Sequence, residues 1–243
     1  MDLRLGERLD DLGRGGLRII QHPGRFPFAM DPVLLAHFVR VRRRDRVLDL
    51  GTGSGVIPLL LSALHPEARL TGLELQPETA EMARRSVALN GLSDRVQIDC
   101  GDYRDVTGIY GHGCFDVVTM NPPYRALGRG ATSPVAARAT ARHETTGALA
   151  DAVEAAARAV KFGGRVAVVF LAERLTDLTV ELRRNGLEPK RLRLIQPRAD
   201  RPANLLLLEA VKGGGVGLTA LPPLVVYDAE GHFSPELQAI YGS

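Results

Sequence analysis

Residues 47–55 of the chain read VLDLGTGSG. The run is apolar apart from Asp49 until glycine recurs at Gly51, Gly53 and Gly55. An apolar run, a glycine turn and then an apolar helical pattern indicate a strand that leads into a helix. In an open α/β sheet this kind of turn lies where ligands bind, outside the carboxyl ends of the strands.

The same alternation of short apolar runs and helical patterns continues along the chain, which predicts βαβ units on a parallel sheet. We expect a Rossmann-like α/β fold with helices on both faces of a seven-stranded, mostly parallel sheet. The predicted strands cover residues 47–50, 70–74, 96–100, 115–120, 165–171, 190–195 and 204–210. One domain, residues 1–243, would comprise an N-terminal hairpin and helix (1–45), a core (46–212) and a C-terminal appendage (213–243).

Residues 125–146 are polar and nearly free of large apolar side chains. A stretch of this length inside a compact domain is typical of a functional loop. We therefore predict a loop here, followed by a helix over residues 148–160.

Composition excludes several classes of protein. Hydrophobic residues make up 45% and charged residues 24% of the chain, which is ordinary for a globular domain. No apolar run approaches the ~20 residues of a membrane helix, and the N-terminus lacks the apolar centre of a secretory signal. The two cysteines and six histidines have neither disulfide nor metal-ligand spacing. We expect a reduced, cytoplasmic protein without membrane or metal, and the sequence leaves monomer and homodimer open.

The charge of the chain is only weak evidence for binding to nucleic acid. The formal net charge is +3, and some of the arginines form two clusters: Arg40, Arg42, Arg43, Arg44 and Arg46, then Arg125, Arg129, Arg138 and Arg142. Such clusters attract nucleic-acid phosphates, but heavy arginine usage also follows from genome composition alone.

The glycine spacing discriminates between cofactors. A dinucleotide fingerprint would need glycine where the chain has Val56, so a ligand that carries a carboxylate is favoured over a pyrophosphate. Glu74 ends the second predicted strand, where it could accept hydrogen bonds from both ribose hydroxyls. Asp102 follows the third and could accept from an adenine amino group. Each feature has a structural alternative when taken alone: the glycines could form a plain turn, Glu74 could be a surface acid and Asp102 a turn residue. Because all three follow successive predicted strands, together they favour a nucleoside cofactor.

The fourth predicted strand ends in Asn121-Pro122-Pro123-Tyr124. A residue before proline is held in an extended conformation, and prolines present carbonyl groups without a competing N–H. The Asn121 side-chain oxygen and the Pro122 carbonyl could each accept one hydrogen of an exocyclic amino group, which directs its lone pair at an incoming methyl group. Tyr124 offers a face on which an extracted base could lie. A strand-ending turn with two prolines is the structural alternative.

With these motifs the chain resembles the class I amino-methyltransferases that share N-P-P-Y. It is most similar to the bacterial tRNA adenine-N6-methyltransferases that modify the anticodon loop of a valine tRNA. The likeness includes residues 26–36, 141–144 (ARHE), 197–204 and 227–241. It implies a Rossmann-like class I methyltransferase fold, S-adenosylmethionine as cofactor, and N6-methylation of an adenine in tRNA by direct in-line transfer.

The resemblance also implies roles for individual residues. Catalysis falls to Asn121, Pro122 and Tyr124. Cofactor binding falls to Asp49, Gly51, Glu74 and Asp102, and Met30 lies in a stretch that helps to enclose the cofactor. Thr52, Gly53 and Gly55 are expected to bind the cofactor because they belong to the same glycine loop. The loop after Tyr124 is richer in arginine than is typical of the family, and Arg125 is a candidate contact to RNA. Arg142 and His143 either contact RNA phosphate or anchor the return of the loop; we favour RNA contact.

Other functions remain open at this point. A protein glutamine N5-methyltransferase acting on release factors would use the same motif, but such enzymes usually carry a separate helical domain ahead of the first strand. An adenine or guanine amino-methyltransferase of another RNA or of DNA is a further alternative, although no insert resembles a target-recognition domain. An oxidoreductase would need the dinucleotide spacing, and a pure RNA-binding protein would leave Glu74 and Asp102 unexplained.

Overall fold

The computed structural model describes residues 3–22, 30–122 and 134–242, with the backbone alone for residues 134–146. The strands of this part of the chain are β1 (Arg8–Asp11), β2 (Arg18–Gln21), β3 (Arg46–Leu50), β4 (Arg69–Glu74), β5 (Val96–Cys100), β6 (Phe115–Met120), β7 (Val160–Leu171), β8 (Leu187–Gln196), β9 (Leu205–Lys212), β10 (Thr219–Ala220) and β11 (Leu224–Val225). Its α-helices are α1 (Met30–Phe38), α2 (Val56–Leu64), α3 (Pro77–Leu89), α4 (Val106–Tyr110), α5 (Pro134–Ala159), α6 (Leu175–Arg184) and α7 (Pro235–Tyr241).

One large sheet organises the molecule. Its strands follow the order β10-β8-β9-β7-β6-β3-β4-β5, and β11 pairs with β8 further along the same edge. Every pair in the sheet is parallel except those of β9, which is antiparallel to both β7 and β8. The predicted α/β fold with a mostly parallel sheet is confirmed. In the part of the chain that the structure describes, seven longer strands form the sheet, and the two-residue strands β10 and β11 add to one edge.

The order of the strands reverses between β3 and β6. From β3 the chain runs outward through β4 to β5, and from β6 it runs the other way through β7. Connections that diverge in this way leave a crevice at the carboxyl ends of the two central strands, where α/β folds bind ligands. The turn at residues 51–55 and Asn121 both lie at this crevice.

Helices cover both faces of the sheet. Residues of α1, α2 and α3 pack with the N-terminal hairpin in one hydrophobic core, and residues of α4, α5 and α6 form the other. The central strand β6 contacts both cores, so Val117, Val118, Thr119 and Met120 are each at most 1% exposed. A strand enclosed on both faces has no polar alternation, as the sequence of β6 predicts.

Helix α5 begins at Pro134, so the prediction of a continuous loop up to residue 146 and a helix start at 148 is wrong. The stretch 134–146 contains Ala136, Ala137, Ala139 and Ala141, and alanine is the strongest helix former. Proline suits the first turn of a helix because its missing N–H has no partner there in any case. The prediction of a loop relied on the low hydrophobicity of this segment, which is in fact a polar stretch of helix.

The C-terminal segment, predicted as a peripheral appendage, contributes to the sheet and to the core. Leu224 of β11 pairs in register with Ile195 of β8, and α7 packs against α1. Leu237 on α7 is fully buried. No helix in the described parts of the chain is long and apolar enough to cross a membrane.

Candidate active site

Three residues on the adjacent strands β4, β3 and β6 are paired in register near the carboxyl end of β3. Asp49 of β3 pairs in register with Gly72 of β4 on one side and with Thr119 of β6 on the other. In the next row, Leu50 pairs with Leu73 and Met120. One residue further along, the same edge presents Gly51, Glu74 and Asn121. The residues that the sequence assigned to cofactor and catalysis therefore meet at adjacent strand ends.

The glycine loop turns sharply over the end of β4. The backbone N–H groups of Gly51 and Thr52 both donate to the Leu73 carbonyl, at 2.9 and 3.0 Å. Gly51 and Gly53 have φ of +68° and +55°, a region that side chains other than Asn and Asp seldom adopt. A Cβ on either glycine would meet no atom of a described residue within 4 Å. The loop thus faces open space at the crevice, as a cofactor-binding turn requires.

Gly72 is a residue of this site that the sequence did not reveal. A Cβ at Gly72 would lie 2.7 Å from Thr52 Cγ2 and 2.9 Å from Ile98 Cδ1. The absent side chain makes room for the buried Thr52 and so lets the loop lie on β4. Glycine within a strand often marks such a close approach, and this was the available signal.

Asp49 is buried at the base of the crevice, with 2% of its surface exposed. Its Oδ1 accepts a 2.7 Å hydrogen bond from the Thr119 hydroxyl, whereas its buried Oδ2 has no partner among the described residues. Burial, reinforced by the nearby Glu74 carboxylate, raises the pKa of Asp49 to about 7. Thr119 was not singled out from the sequence, although it is the one hydroxyl in an otherwise apolar stretch before Asn121.

Glu74 binds the protein backbone with both oxygens. Oε2 accepts from the Gly53 N–H and Oε1 from the Gln76 N–H, each at 2.9 Å. Glu74 is also buried. It therefore fixes the height of the glycine loop, a role beyond the ribose contact that the sequence suggested; carboxylate oxygens retain lone pairs for further donors.

Asp102 lies just after β5 at the same edge and is held by its neighbour Arg104. Its Oδ1 accepts from the Arg104 backbone N–H at 2.9 Å, and the two oxygens accept from Arg104 Nε at 3.0 and 2.9 Å. These bonds lower the pKa of Asp102 below its ordinary value. Asp102 is thus an ionised acceptor on the rim of the crevice.

The motif predicted to be catalytic, Asn121-Pro122-Pro123-Tyr124, is described in part. Asn121 follows β6 and is half-buried, and Pro122 is buried. Tyr124 and Arg125 lie outside the described residues. Arg142 and His143 lie on α5, but their side chains are likewise outside the description. Met30 begins α1, is half-buried and packs against the core that α1 and α2 share. Among described residues, no three His, Cys, Asp or Glu side chains converge as a metal site would require.

Comparison with known proteins extends the geometric assignment. The family model of the methyltransferase small domain matches residues 17–176. A protein of Porphyromonas gingivalis (strain W83) is 32% identical over 194 residues, which are 78% of this chain and 75% of that protein. A Yersinia enterocolitica protein is 32% identical over 216 residues, or 86% and 82% of the two chains. Both are named tRNA1(Val) (adenine(37)-N6)-methyltransferase.

Solved structures agree on the fold. Atu636 of Agrobacterium tumefaciens, described as a predicted O-methyltransferase, superimposes with a TM-score of 0.73 at 25% identity, covering 87% of this chain and 95% of its own. TrmN of Thermus thermophilus gives a TM-score of 0.55 at 22% identity, covering 74% of this chain and 48% of its own. The chain therefore belongs to the methyltransferase small domain family, together with its tRNA1(Val) (adenine(37)-N6)-methyltransferase relatives.

Proposed function

We propose that this protein transfers a methyl group from S-adenosylmethionine to the N6 amino group of an adenine in tRNA, by direct in-line transfer. The observation that carries the proposal is the shared sheet edge: Asn121-Pro122 follows β6 directly beside the glycine loop that follows β3. A methyl donor bound on the loop and an amino group held by the motif would therefore be neighbours.

The family and fold imply S-adenosylmethionine as the cofactor, and the residues present fit it. No described residue fills the space beside Gly51 and Gly53, and Asp49 Oδ2 is a buried acceptor that likewise has no described partner. Asp49 would accept from the amino group of the amino-acid moiety, and Glu74 from the ribose hydroxyls. When bound, the cofactor supplies an electrophilic methyl group on its sulfonium sulfur.

Three further residues would complete the cofactor site. Asp102, kept ionised by Arg104, would accept from the adenine amino group of the cofactor. Thr52 supports the loop from below by packing over Gly72. Met30, at the first residue of α1, would close the site from the side of α2, against which α1 packs.

At the substrate, catalysis would consist of positioning and electrostatics. The Asn121 side-chain oxygen and the Pro122 carbonyl would each accept one hydrogen of the amino group. Holding both hydrogens draws the nitrogen lone pair out of conjugation with the ring and directs it at the methyl carbon. Tyr124 would stack on the base. The methylated nitrogen is acidic and releases its proton readily, so no strong general base is needed.

The choice of tRNA is supported by the activity for which the relatives are named. Arg125, Arg142 and His143 would contact the RNA from the segment after the catalytic motif. A tRNA-modifying enzyme of this kind would work in the cytoplasm, as a monomer or a homodimer, and without a metal.

The test is methyl incorporation from labelled S-adenosylmethionine into three substrates: unmodified tRNA, duplex DNA and a release factor. Nucleoside mass analysis of the tRNA should show N6-methyladenosine. A transcript with guanosine in place of its anticodon-loop adenines should take up no label. Label in the release factor alone would retain the cofactor site but overturn the choice of substrate.

A further inference from the structure

A basic cavity lies at the opposite edge of the sheet from the candidate active site. Its volume is about 470 Å³, and its walls include the cationic side chains of Arg40, Arg42, Arg165, Lys190 and Arg191. Arg165 lies in the first half of β7, and Lys190 and Arg191 in the first half of β8; both strands run toward the active-site edge. The cavity therefore belongs to the amino-terminal edge and is separate from the cofactor crevice.

Positive charge in this basic cavity exceeds negative charge. Arg191 pairs with Glu209 at 3.2 Å, and Arg165 with Asp45 at 2.8 Å. Asp45 is further engaged by the backbone N–H of Arg42. Lys190 Nζ donates to a neutral acceptor, the Gly215 carbonyl, at 2.9 Å. Among the described residues, five cationic side chains are thus balanced by two carboxylates.

Arg165 and Arg191 each keep a donor without an acceptor in the described part of the chain, in spite of their ion pairs. The side chains of Arg165 and Arg191 are only 12% and 14% exposed, and the Nε of each is buried with no acceptor among the described residues. The Arg191 guanidinium lies 4.6 Å from the centre of the Phe38 ring, which fixes its plane. Positive charge that is partly buried is poorly screened by water, so it makes the potential in the cavity more positive.

Arg40 and Arg42 are the side chains of the cavity best placed to bind a ligand. Both are exposed, line the cavity, and make no side-chain hydrogen bond or ion pair with any described residue. Arg165 and Arg191 have a structural use in their ion pairs, but these two do not. Guanidinium groups bind phosphate oxygens with paired, charge-assisted hydrogen bonds.

We propose that the basic cavity is a binding site for a phosphate group. The group comes either from the backbone of an RNA or from a small phosphate-bearing molecule. The site does not depend on the proposed methyl transfer, because none of its residues lies at the cofactor crevice. Glu209 in its wall is 2% exposed and paired with Arg191, so its charge is already used.

The test compares two double variants with the same loss of charge. Arg40→Gln with Arg42→Gln removes the two cavity arginines that make no side-chain hydrogen bond or ion pair with a described residue. Arg43→Gln with Arg44→Gln removes two arginines of the same cluster that do not line it. All four positions are exposed, so both variants should retain the thermal unfolding midpoint of the wild type, which is checked first.

Binding is then measured without any assay of methyl transfer. Inorganic phosphate is titrated by calorimetry, and unmodified tRNA by filter binding at several salt concentrations. We expect the cavity variant to weaken at least one ligand by tenfold or more, and the control variant to bind like the wild type. If RNA supplies the phosphate, the slope of log affinity against log salt should fall by about 1 to 2 in the cavity variant only. Weakening of inorganic phosphate alone would identify a small ligand, and equal behaviour of the two variants with both ligands would overturn the site.

Discussion

The Thr119 hydroxyl donates a 2.7 Å hydrogen bond to Asp49 Oδ1, joining the adjacent strands β6 and β3 just before the glycine loop. Both residues are buried, so this hydroxyl replaces only part of the hydration that the carboxylate has in water. The pKa of Asp49 consequently rises from 3.8 to about 7. The base of the crevice thus holds an acid that titrates near neutral pH.

The first prediction concerns stability against pH. Between pH 4 and 7 Asp49 keeps its proton in the folded chain and loses it in the unfolded chain, whose pKa is near 3.8. The folded state binds more protons, so this contribution to the free energy of unfolding is present below pH 4 and is lost as pH rises to 7. Asp49→Asn removes it. Relative to the wild type, the variant should gain on the order of a few kcal/mol between pH 4 and pH 7.

Urea unfolding of both proteins at half-unit pH steps measures this difference. Contributions from other groups, such as Glu7 with its pKa lowered to about 2 by Arg85, are common to both proteins and cancel. Parallel pH profiles would contradict a raised pKa at Asp49.

A second prediction follows from the two backbone bonds of Glu74. Glu74→Gln keeps one acceptor oxygen but replaces the other with an NH2 group, so either Gly53 or Gln76 loses its acceptor. A lost bond to a charged group costs about 1.5–3 kcal/mol, and the glycine loop should lose its fixed height. We expect calorimetry to show at least tenfold weaker S-adenosylmethionine binding. Glu67→Gln, at an exposed acid paired with Arg43, serves as the control, and an unchanged affinity in Glu74→Gln would refute the assignment.

A third prediction separates the space above the glycine loop from its conformation. Gly53 and Gly91 have similar φ, +55° and +66°, and in the described parts of the chain no atom lies within 4 Å of a Cβ added to either. Asparagine tolerates this conformation better than most residues. Gly53→Asn should therefore fold about as well as Gly91→Asn, yet only Gly53→Asn should lose S-adenosylmethionine binding. Unfolding midpoints and calorimetric titrations of the pair check both statements; equal affinities would mean that the space is not used by the cofactor.

The local sequence predicted the bounds of a strand correctly where glycine or Asn-Pro follows its last residue. β5 and β6 occupy the predicted residues 96–100 and 115–120, because Gly101 ends the alternating pattern of β5 and Asn121-Pro122 ends the mainly apolar run of β6. The glycine loop after β3 and the motif after β6 were located in the sequence for the same reason. Their proximity followed from the rule that parallel strands bring their carboxyl ends to one edge.

The sequence did not predict contacts that depend on the register between strands. The bond between Thr119 and Asp49 and the fit of Thr52 over Gly72 arise between strands that are distant in the chain, and no local pattern encodes their pairing. The basic cavity has the same origin, since Arg40 and Arg42 meet Arg165 and Arg191 only after β7 and β8 are in place. Strands as short as β10 and β11 contain too few residues to show a period.

A fourth prediction concerns the C-terminal segment. We propose that it unfolds together with the rest of the chain as one domain. Leu237 on α7 is fully buried, whereas Leu218, just before β10, is 47% exposed. Leu237→Ala should lower the free energy of unfolding by about 2–5 kcal/mol through lost burial and a residual cavity, and Leu218→Ala by less than about 0.5 kcal/mol. Denaturant unfolding should remain a single transition in both; a separate early transition in Leu237→Ala would indicate an independent appendage.

The last prediction concerns the residue that the proposed chemistry needs most. Asn121→Ala removes one of the two acceptors for the amino hydrogens and leaves the glycine loop, Asp49 and Glu74 in place. We expect S-adenosylmethionine affinity to change less than about threefold, while single-turnover methyl transfer to tRNA falls by about 10²–10³-fold, the cost typical of one preorganised polar contact to a transition state. Asn185→Ala, which removes a side-chain bond at the end of α6, controls for loss of an asparagine elsewhere. Turnover comparable to the wild type would exclude the catalytic role of Asn121, and a parallel loss of cofactor affinity would instead make it a residue of the cofactor site.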